Sequence, residues 1–312
     1  MSLQAGDNEV KQFRQDDDVN SLMFSADDRW LASASSDNTV RVWDVQSQEL
    51  YRRFRHGDTV NEVAFSPDGR VVVSAADDSV AIAWDLATGQ RLFVLPHDDD
   101  VDSVRYDALG ERLVTASEDR TVKVWNAFTG TLLMTMFHDD DVREAEFSPD
   151  GTTIASGGDD KSVRLWGAIT GDELQHWTHQ EPVDDIDFSP DGSLIASASD
   201  DRTVRLWEVD TGREASVSPL MHRLDVDGAT FSPDGSWLAT VANNEARVWR
   251  FEDFREMPMT IELPSVTVGL LDPESEWIAA GTDEGQVRQW NRETGEVRDA
   301  TFEMPAPITQ LR

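Results

Sequence analysis

The sequence predicts an all-β fold, a seven-bladed β-propeller with four antiparallel strands per blade. Three observations predict it: a tryptophan that recurs at near-constant spacing, alternating apolar and polar residues around each copy, and turn residues between the alternating runs. The tryptophans are Trp43, Trp84, Trp125, Trp166, Trp207, Trp249 and Trp290, separated by 41, 41, 41, 41, 42 and 41 residues. A fixed period of this length marks a repeat architecture, with each copy one supersecondary unit.

Within the unit, runs such as VNEVAF, VDSVRY and VDDIDF come first and read as half-buried strands by their period of two. A turn follows, spelled SPDG at 66–69, 148–151, 189–192 and 232–235, where proline fixes φ and glycine permits a positive one. The second strand reads WLASAS, RLVTAS or LIASAS, and a tight acidic turn leads from it into the tryptophan strand. That third strand is TVRVWD, VAIAWD, TVKVWN, SVRLWG, TVRLWE, EARVWR or QVRQWN. ATG, FTG, ITG, DTG and ETG then turn the chain into a fourth strand. No helical periodicity intervenes, so each repeat makes one antiparallel sheet. Sheets stacked radially leave only short, protected edges.

These residues resemble the WD-repeat family, in its prokaryotic-type form, over almost the whole chain. The W-D dipeptide stands literally at Trp43-Asp44 and Trp84-Asp85. Of the family's Gly-His pair only the histidine is present, at His56, His97, His138, His179 and His222, each four residues before the valine that opens a first strand. The resemblance implies a protein–protein interaction scaffold, or a sensor module within a larger signalling or ATPase protein.

Histidine, serine and aspartate at fixed spacing could suggest hydrolase chemistry. Here the set is repeated: His56, Ser74, Asp78 and Trp84; His97, Thr115, Asp119 and Trp125; His138, Ser156, Asp160 and Trp166; His179, Ser197, Asp201 and Trp207. An active site is built once, so the recurrence favours structure. The resemblance implies a buried hydrogen-bonded chain running from tryptophan through hydroxyl and histidine to the turn aspartate. Such a chain would satisfy the indole and imidazole nitrogens. The set weakens at both ends of the chain. Gln15 stands for the first histidine, the sixth repeat is one residue short at 243–245 and lacks a clear turn aspartate, and the seventh has no histidine and carries Ala280 for the hydroxyl.

The chain has 312 residues, no cysteine, and a net charge of −34, with Lys11, Lys123 and Lys161 as its only lysines. Absent thiols remove disulfides and thiolate metal sites. A field this negative disfavours nucleic acid and anionic membrane surfaces. With no signal-like or membrane-length apolar run, the expectation is a soluble, cytoplasmic, monomeric protein without cofactors, folded as a single domain over 1–312. Residues 9–14 (EVKQFR) match the fourth-strand pattern and could close the ring against the last blade. Residues 303–312 form an extension, within which PITQLR resembles another first strand. The alternative is a piece of a longer chain.

The loops before each first strand and the tight turns before each tryptophan strand belong on one end of a propeller. They carry Asp17 and Asp18; Asp98, Asp99 and Asp100; Asp139, Asp140 and Asp141; and, in the turns, Asp77, Glu118, Asp159 and Asp200. The opposite end, with its SPDG and TG turns, reads as short and featureless. The acidic end is the candidate surface for a basic segment of another protein, set against plain solvation or salt adaptation. A helical calcium loop is absent. No phosphate loop, HExxH or Gly-x-Ser-x-Gly points to catalysis, so no enzyme is expected; a channel site assembled from several blades would leave no linear motif.

Overall fold

A computed structural model describes residues 15–242 and 245–250, and beyond them the backbone of the strands between 255 and 303. The suggested closing strand at 9–14, nearly all of the extension, and the side chains of the seventh repeat lie outside the described residues.

The first sheet comprises β1 (Val19–Phe24), β2 (Trp30–Ser35), β3 (Thr39–Asp44) and β4 (Leu50–Arg55). The second comprises β5 (Val60–Phe65), β6 (Val71–Ala76), β7 (Val80–Asp85) and β8 (Arg91–Pro96). β9 (Val101–Tyr106), β10 (Arg112–Ser117), β11 (Thr121–Asn126) and β12 (Leu132–Phe137) form the third. β13 (Val142–Phe147), β14 (Thr153–Gly158), β15 (Ser162–Gly167) and β16 (Glu173–Thr178) form the fourth. The fifth holds β17 (Val183–Phe188), β18 (Leu194–Ser199), β19 (Thr203–Glu208) and the short β20 (Leu220–Met221). The sixth holds β21 (Gly228–Phe231), β22 (Trp237–Ala242), β23 (Glu245–Arg250), β24 (Arg255–Glu256) and β25 (Ile261–Glu262). The last holds β26 (Val266–Leu271), β27 (Trp277–Thr282), β28 (Gln286–Asn291) and β29 (Val297–Glu303).

Every sheet pairs its strands antiparallel in chain order, except that β24 and β25 both pair with β23. First strands of neighbouring sheets lie against one another, β1 on β5, β5 on β9, β9 on β13, β13 on β17 and β17 on β21. They form the inner edge, and the fourth strands form the outer one.

Apolar side chains of adjacent sheets fill the space between them. One cluster joins Val40, Val42 and Phe54 of the first sheet to Val60, Val63 and Val72 of the second. Another joins Val122, Val124 and Met136 to Val142, Ala145 and Trp166. Each unit therefore completes its core only against a neighbour, as repeat architectures require.

The inner edge strands carry backbone N–H groups with no ladder partner, and such groups must be satisfied elsewhere. Side chains of the preceding sheet do this. Val104 N donates to Glu62 at 2.7 Å, Phe188 N to Glu146 at 2.6 Å, Ala229 N to Asp185 at 2.9 Å and Phe231 N to Asp187 at 2.6 Å.

The tight turn before each tryptophan strand places a residue other than glycine at positive φ: Asn38, Ser79, Arg120, Lys161 and Arg202, at 63° to 68°. That conformation costs energy for a side chain with a Cβ. The turn aspartate braces it: Asp119 accepts from the Thr121 backbone at 3.0 Å and from its hydroxyl, and Asp201 does the same for Thr203. In the sixth sheet Ala242 pairs directly with Glu245, so two residues stand between the strands where the other sheets have three, and neither is an aspartate.

The opposite end is not featureless. Its turns expose Leu109, Phe128 and Ile169 at 78%, 72% and 83% of their surfaces. Gly110 is required there, because it sits at φ +69° with Pro67 of the preceding sheet 2.9 Å from where a Cβ would lie.

Candidate functional site: an acidic loop end above a polar network

Antiparallel pairing puts the loops before the first strands and the tight turns on one end, and backbone hydrogen bonds tie the two together. Asp77 N donates to Thr59 O, Glu118 N to Asp100 O, Asp159 N to Asp141 O and Asp200 N to Pro182 O, at 2.8–3.1 Å.

Beneath this end runs the repeated network. In the third sheet Trp125 Nε1 donates to the Thr115 hydroxyl at 2.9 Å, the hydroxyl lies 2.7 Å from His97 Nε2, and His97 Nδ1 lies 2.8 Å from Asp119. Trp84, Ser74, His56 and Asp78 repeat the chain in the second sheet at 3.1, 2.7 and 3.1 Å. Trp166, Ser156, His138 and Asp160 do so in the fourth at 2.7, 2.7 and 2.9 Å. Trp207, Ser197, His179 and Asp201 do so in the fifth at 2.8, 2.7 and 3.0 Å. With Asp as acceptor, the network assigns the ring proton to Nδ1.

Each aspartate also accepts from the backbone N–H that follows its histidine, as Asp119 does from Asp98 N at 3.0 Å. Burial opposes the charge on Asp119, but the bonds from His97 and Thr121 outweigh it and hold its carboxyl far below the usual range. Asp160 and Asp201 are held low in the same way. Burial keeps His97 and His138 below the usual histidine value. Both ring nitrogens of His97 and His138 are thus engaged within the network.

The end repeats differ from this pattern. Gln15 reaches Ser33, which also accepts from Trp43 at 3.4 Å, so an amide takes the histidine's position while its own oxygen stays buried without a partner. In the sixth sheet Trp249 and His222 both meet Thr240, at 2.9 and 3.1 Å. The aspartate's absence leaves His222 Nδ1 buried and unpaired. Burial, with Arg247 nearby, pushes its pKa down to about 3.

The twelve acidic residues expected at the loop end fall into two tiers. Asp17, Asp18, Asp98, Asp99, Asp139 and Asp140 are exposed; Asp77, Asp100, Glu118, Asp141, Asp159 and Asp200 are half-buried. The second tier meets residues outside the repeated motif, at the second position of each first strand. Asn61 donates to Asp77 at 2.7 Å, and Arg143 holds Asp159 through two bonds of 2.8 and 2.9 Å while lying 3.4 Å from Glu118 and 3.6 Å from Asp102. That position reads Asn20, Asn61, Asp102, Arg143 and Asp184, a run of polar residues visible in the aligned repeats.

Crowded carboxylates with little neutralisation hold protons tightly. Burial raises Asp102 to about 8, against the pull of Arg143 and with Glu118 and Asp77 adding to it. Burial raises Asp184 to about 7, and Asp200 beside it contributes further. Asp100, Glu118 and Asp141 are also raised, each by burial first and with neighbouring acids adding to it, while Arg143 pulls Glu118 and Asp141 the other way. Among the described residues, the carboxylates of Asp99, Asp100 and Glu118 come within 4.8 Å of one another, close enough to share a cation.

Deeper on the inner edge, Arg105 bridges Glu62 and Glu144, joining three successive sheets through side chains no more than 11% exposed.

No curated protein matches the chain. The family model described as WD domain, G-beta repeat matches six segments, residues 8–44, 48–85, 89–126, 130–167, 171–208 and 219–250, which together span well over half of the sequence. The chain belongs to the WD40 repeat family.

Proposed function

We propose that this chain is an interaction scaffold that binds a basic segment of another protein on its acidic loop end, with its seven sheets closed into one seven-bladed ring. WD40 repeats generally serve as protein–protein interaction scaffolds and are typically non-enzymatic, which is the broader ground for the reading. The observation that carries the finer one is the clustering of the half-buried Asp100, Glu118 and Asp141 with the exposed Asp98, Asp99, Asp139 and Asp140 on one end. Burial and mutual repulsion make these charges costly even with Arg143 beside Glu118 and Arg164 on Asp139, and an Arg- or Lys-rich segment would supply further cations. Such contacts give steering and charge-assisted hydrogen bonds.

The test is binding of a fluorescent nona-arginine peptide to the wild type and to a variant carrying Asp98→Asn, Asp99→Asn, Asp139→Asn and Asp140→Asn. Tighter binding by the wild type, weakening steeply with salt, supports the reading. Equal binding by both assigns the acidity to solvation.

A second reading rests on Asp102 and Asp184, whose raised pKa values suit general acid–base work. The repeated histidines recur in four sheets with Asp78, Asp119, Asp160 and Asp201, which favours a structural role for them. Hydrolysis of a phosphate or acyl ester that Asp102→Asn abolishes would favour this reading over the first.

A further inference from the structure

Each sheet ends outward on its fourth strand, and in the first four sheets that strand pairs with no strand but the third, so its outer edge has no strand partner. An open edge is a template for another strand, and charges or prolines are the usual guards against pairing there. β4 carries Arg52, Arg53 and Arg55; β8 carries Arg91 and Pro96; β16 carries Glu173 and His176.

β12 reads Leu-Leu-Met-Thr-Met-Phe and has neither a charge nor a proline. Its Leu132, Leu133 and Phe137 are 46%, 50% and 66% exposed, whereas Met136 is buried in the core shared with the fourth sheet. A register shift near Leu132 recurs in β4, β8 and β16, so it does not set β12 apart. What does set it apart is a strand with no charge of its own leading straight into Asp139, Asp140 and Asp141; at its end Arg164 of the fourth sheet donates to the Phe137 carbonyl at 3.2 Å and pairs with Asp139 at 2.8 Å.

We propose that β12 is a docking edge for an extended segment of the basic partner. The segment adds antiparallel as a fifth strand, with apolar side chains on Leu132, Leu133 and Phe137 and basic residues at its N-terminal end over Asp140 and Asp141, beside the Arg164–Asp139 pair. The antiparallel sense follows from the rest of the sheet, where such pairing is also the more stable per residue. It fixes the order of the segment, basic first and apolar after. A second copy of the chain is a poor occupant, because two bodies of charge −34 repel. The backbone supplies the affinity in this mode and the alternating side chains the selectivity. The inference rests on the reading of a basic partner and adds where and how it binds.

The probe is a synthetic peptide of three arginines followed by six alternating valines and threonines, measured by fluorescence anisotropy on the full chain. The decisive variant is Thr135→Glu with Phe137→Glu. These substitutions make the protein more acidic, so attraction alone predicts tighter binding. Guarding the edge predicts weaker binding, by about tenfold. Binding that is unchanged or tighter in this variant overturns the docking edge. If the four-asparagine variant still weakens binding in that case, the acidic end stands as the site and only β12 fails. If neither variant weakens it, both readings fail. Should the glutamate variant not fold, amide hydrogen exchange of the wild type decides: slowing across 132–137 with peptide is expected, and its absence overturns the proposal. Dimerisation without peptide that the glutamate variant abolishes would also overturn it, since the edge would then belong to a second copy.

Discussion

The side-chain amide of Asn61 donates to the backbone carbonyl of Val101 in the next sheet at 3.0 Å, and Asn20 does the same to Val60 at 2.9 Å. One sheet further on, the position holds Asp102, which as a carboxylate has nothing to donate to the corresponding Val142. Its Oδ2 is buried with no hydrogen bond. Asp102→Asn should therefore restore the stitch and stabilise the protein.

The sign of its pH dependence follows from the raised folded pKa of about 8. A raised carboxyl contributes stability that is complete below its unfolded value near 4 and is lost as pH climbs through 8. The Asn variant has no such loss. Its melting temperature should exceed the wild type's by a few degrees at pH 8.5, on the order of 1–3 kcal/mol, and by less at pH 5. Equal melts at both values would show that Asp102 is already well solvated.

Asp119→Ala removes the acceptor for His97, Asp98 N, Thr121 and Lys123 together. Orphaned buried donors cost about 1–3 kcal/mol, so this single change should lower the melting temperature by several degrees and open β10 and β11 first in hydrogen exchange. An unchanged melt would sink the bracing role.

His222 titrates in the opposite sense to Asp102. Its folded pKa of about 3 lies below the unfolded value near 6.5, so the unfolded chain takes up the proton first. Stability is thus lost as pH falls from about 6.5 towards 3. His222→Gln copies the amide that Gln15 supplies in the first sheet, and should flatten this part of the stability curve while costing little at pH 7. Denaturant midpoints at pH 4.5 and 7 would check it; a drop as steep as the wild type's would assign the acid sensitivity to other groups.

Repeat length, strand order and the histidine-to-aspartate chain were legible because each is written several times, and copies at a fixed interval must serve the same packing role. His97 and Asp119 could be paired from sequence alone since His56 and Asp78 stand at the same separation. The inner edge was not legible in that way. Glu62, Arg105 and Glu144 differ in type from one repeat to the next, and only the radial stacking shows that they meet. The same holds for Arg143, whose partners Asp159, Glu118 and Asp102 come from two sheets. The exposed apolar residues were hidden for another reason: Phe128 and Leu133 fit the strand-and-turn pattern as readily on the outside as within.

Arg105 gives the last test of that inner edge. A buried ion pair adds little net stability when complete, yet removing one partner leaves charge in a medium that solvates it poorly. Arg105→Leu would remove the cation between Glu62 and Glu144, whose side chains are 3% and 5% exposed, and should cost about 3–5 kcal/mol. Adding Glu144→Gln to that variant should recover part of the loss, because the amide carries no charge to solvate. Glu62 is a different case, since its other oxygen accepts from Val104 N and an amide could present the wrong atom. Chemical denaturation of the wild type, the Arg105→Leu variant and the double variant at pH 7 reads the difference. No recovery in the double variant would mean that Arg105 matters for its packing between the sheets, not for its charge.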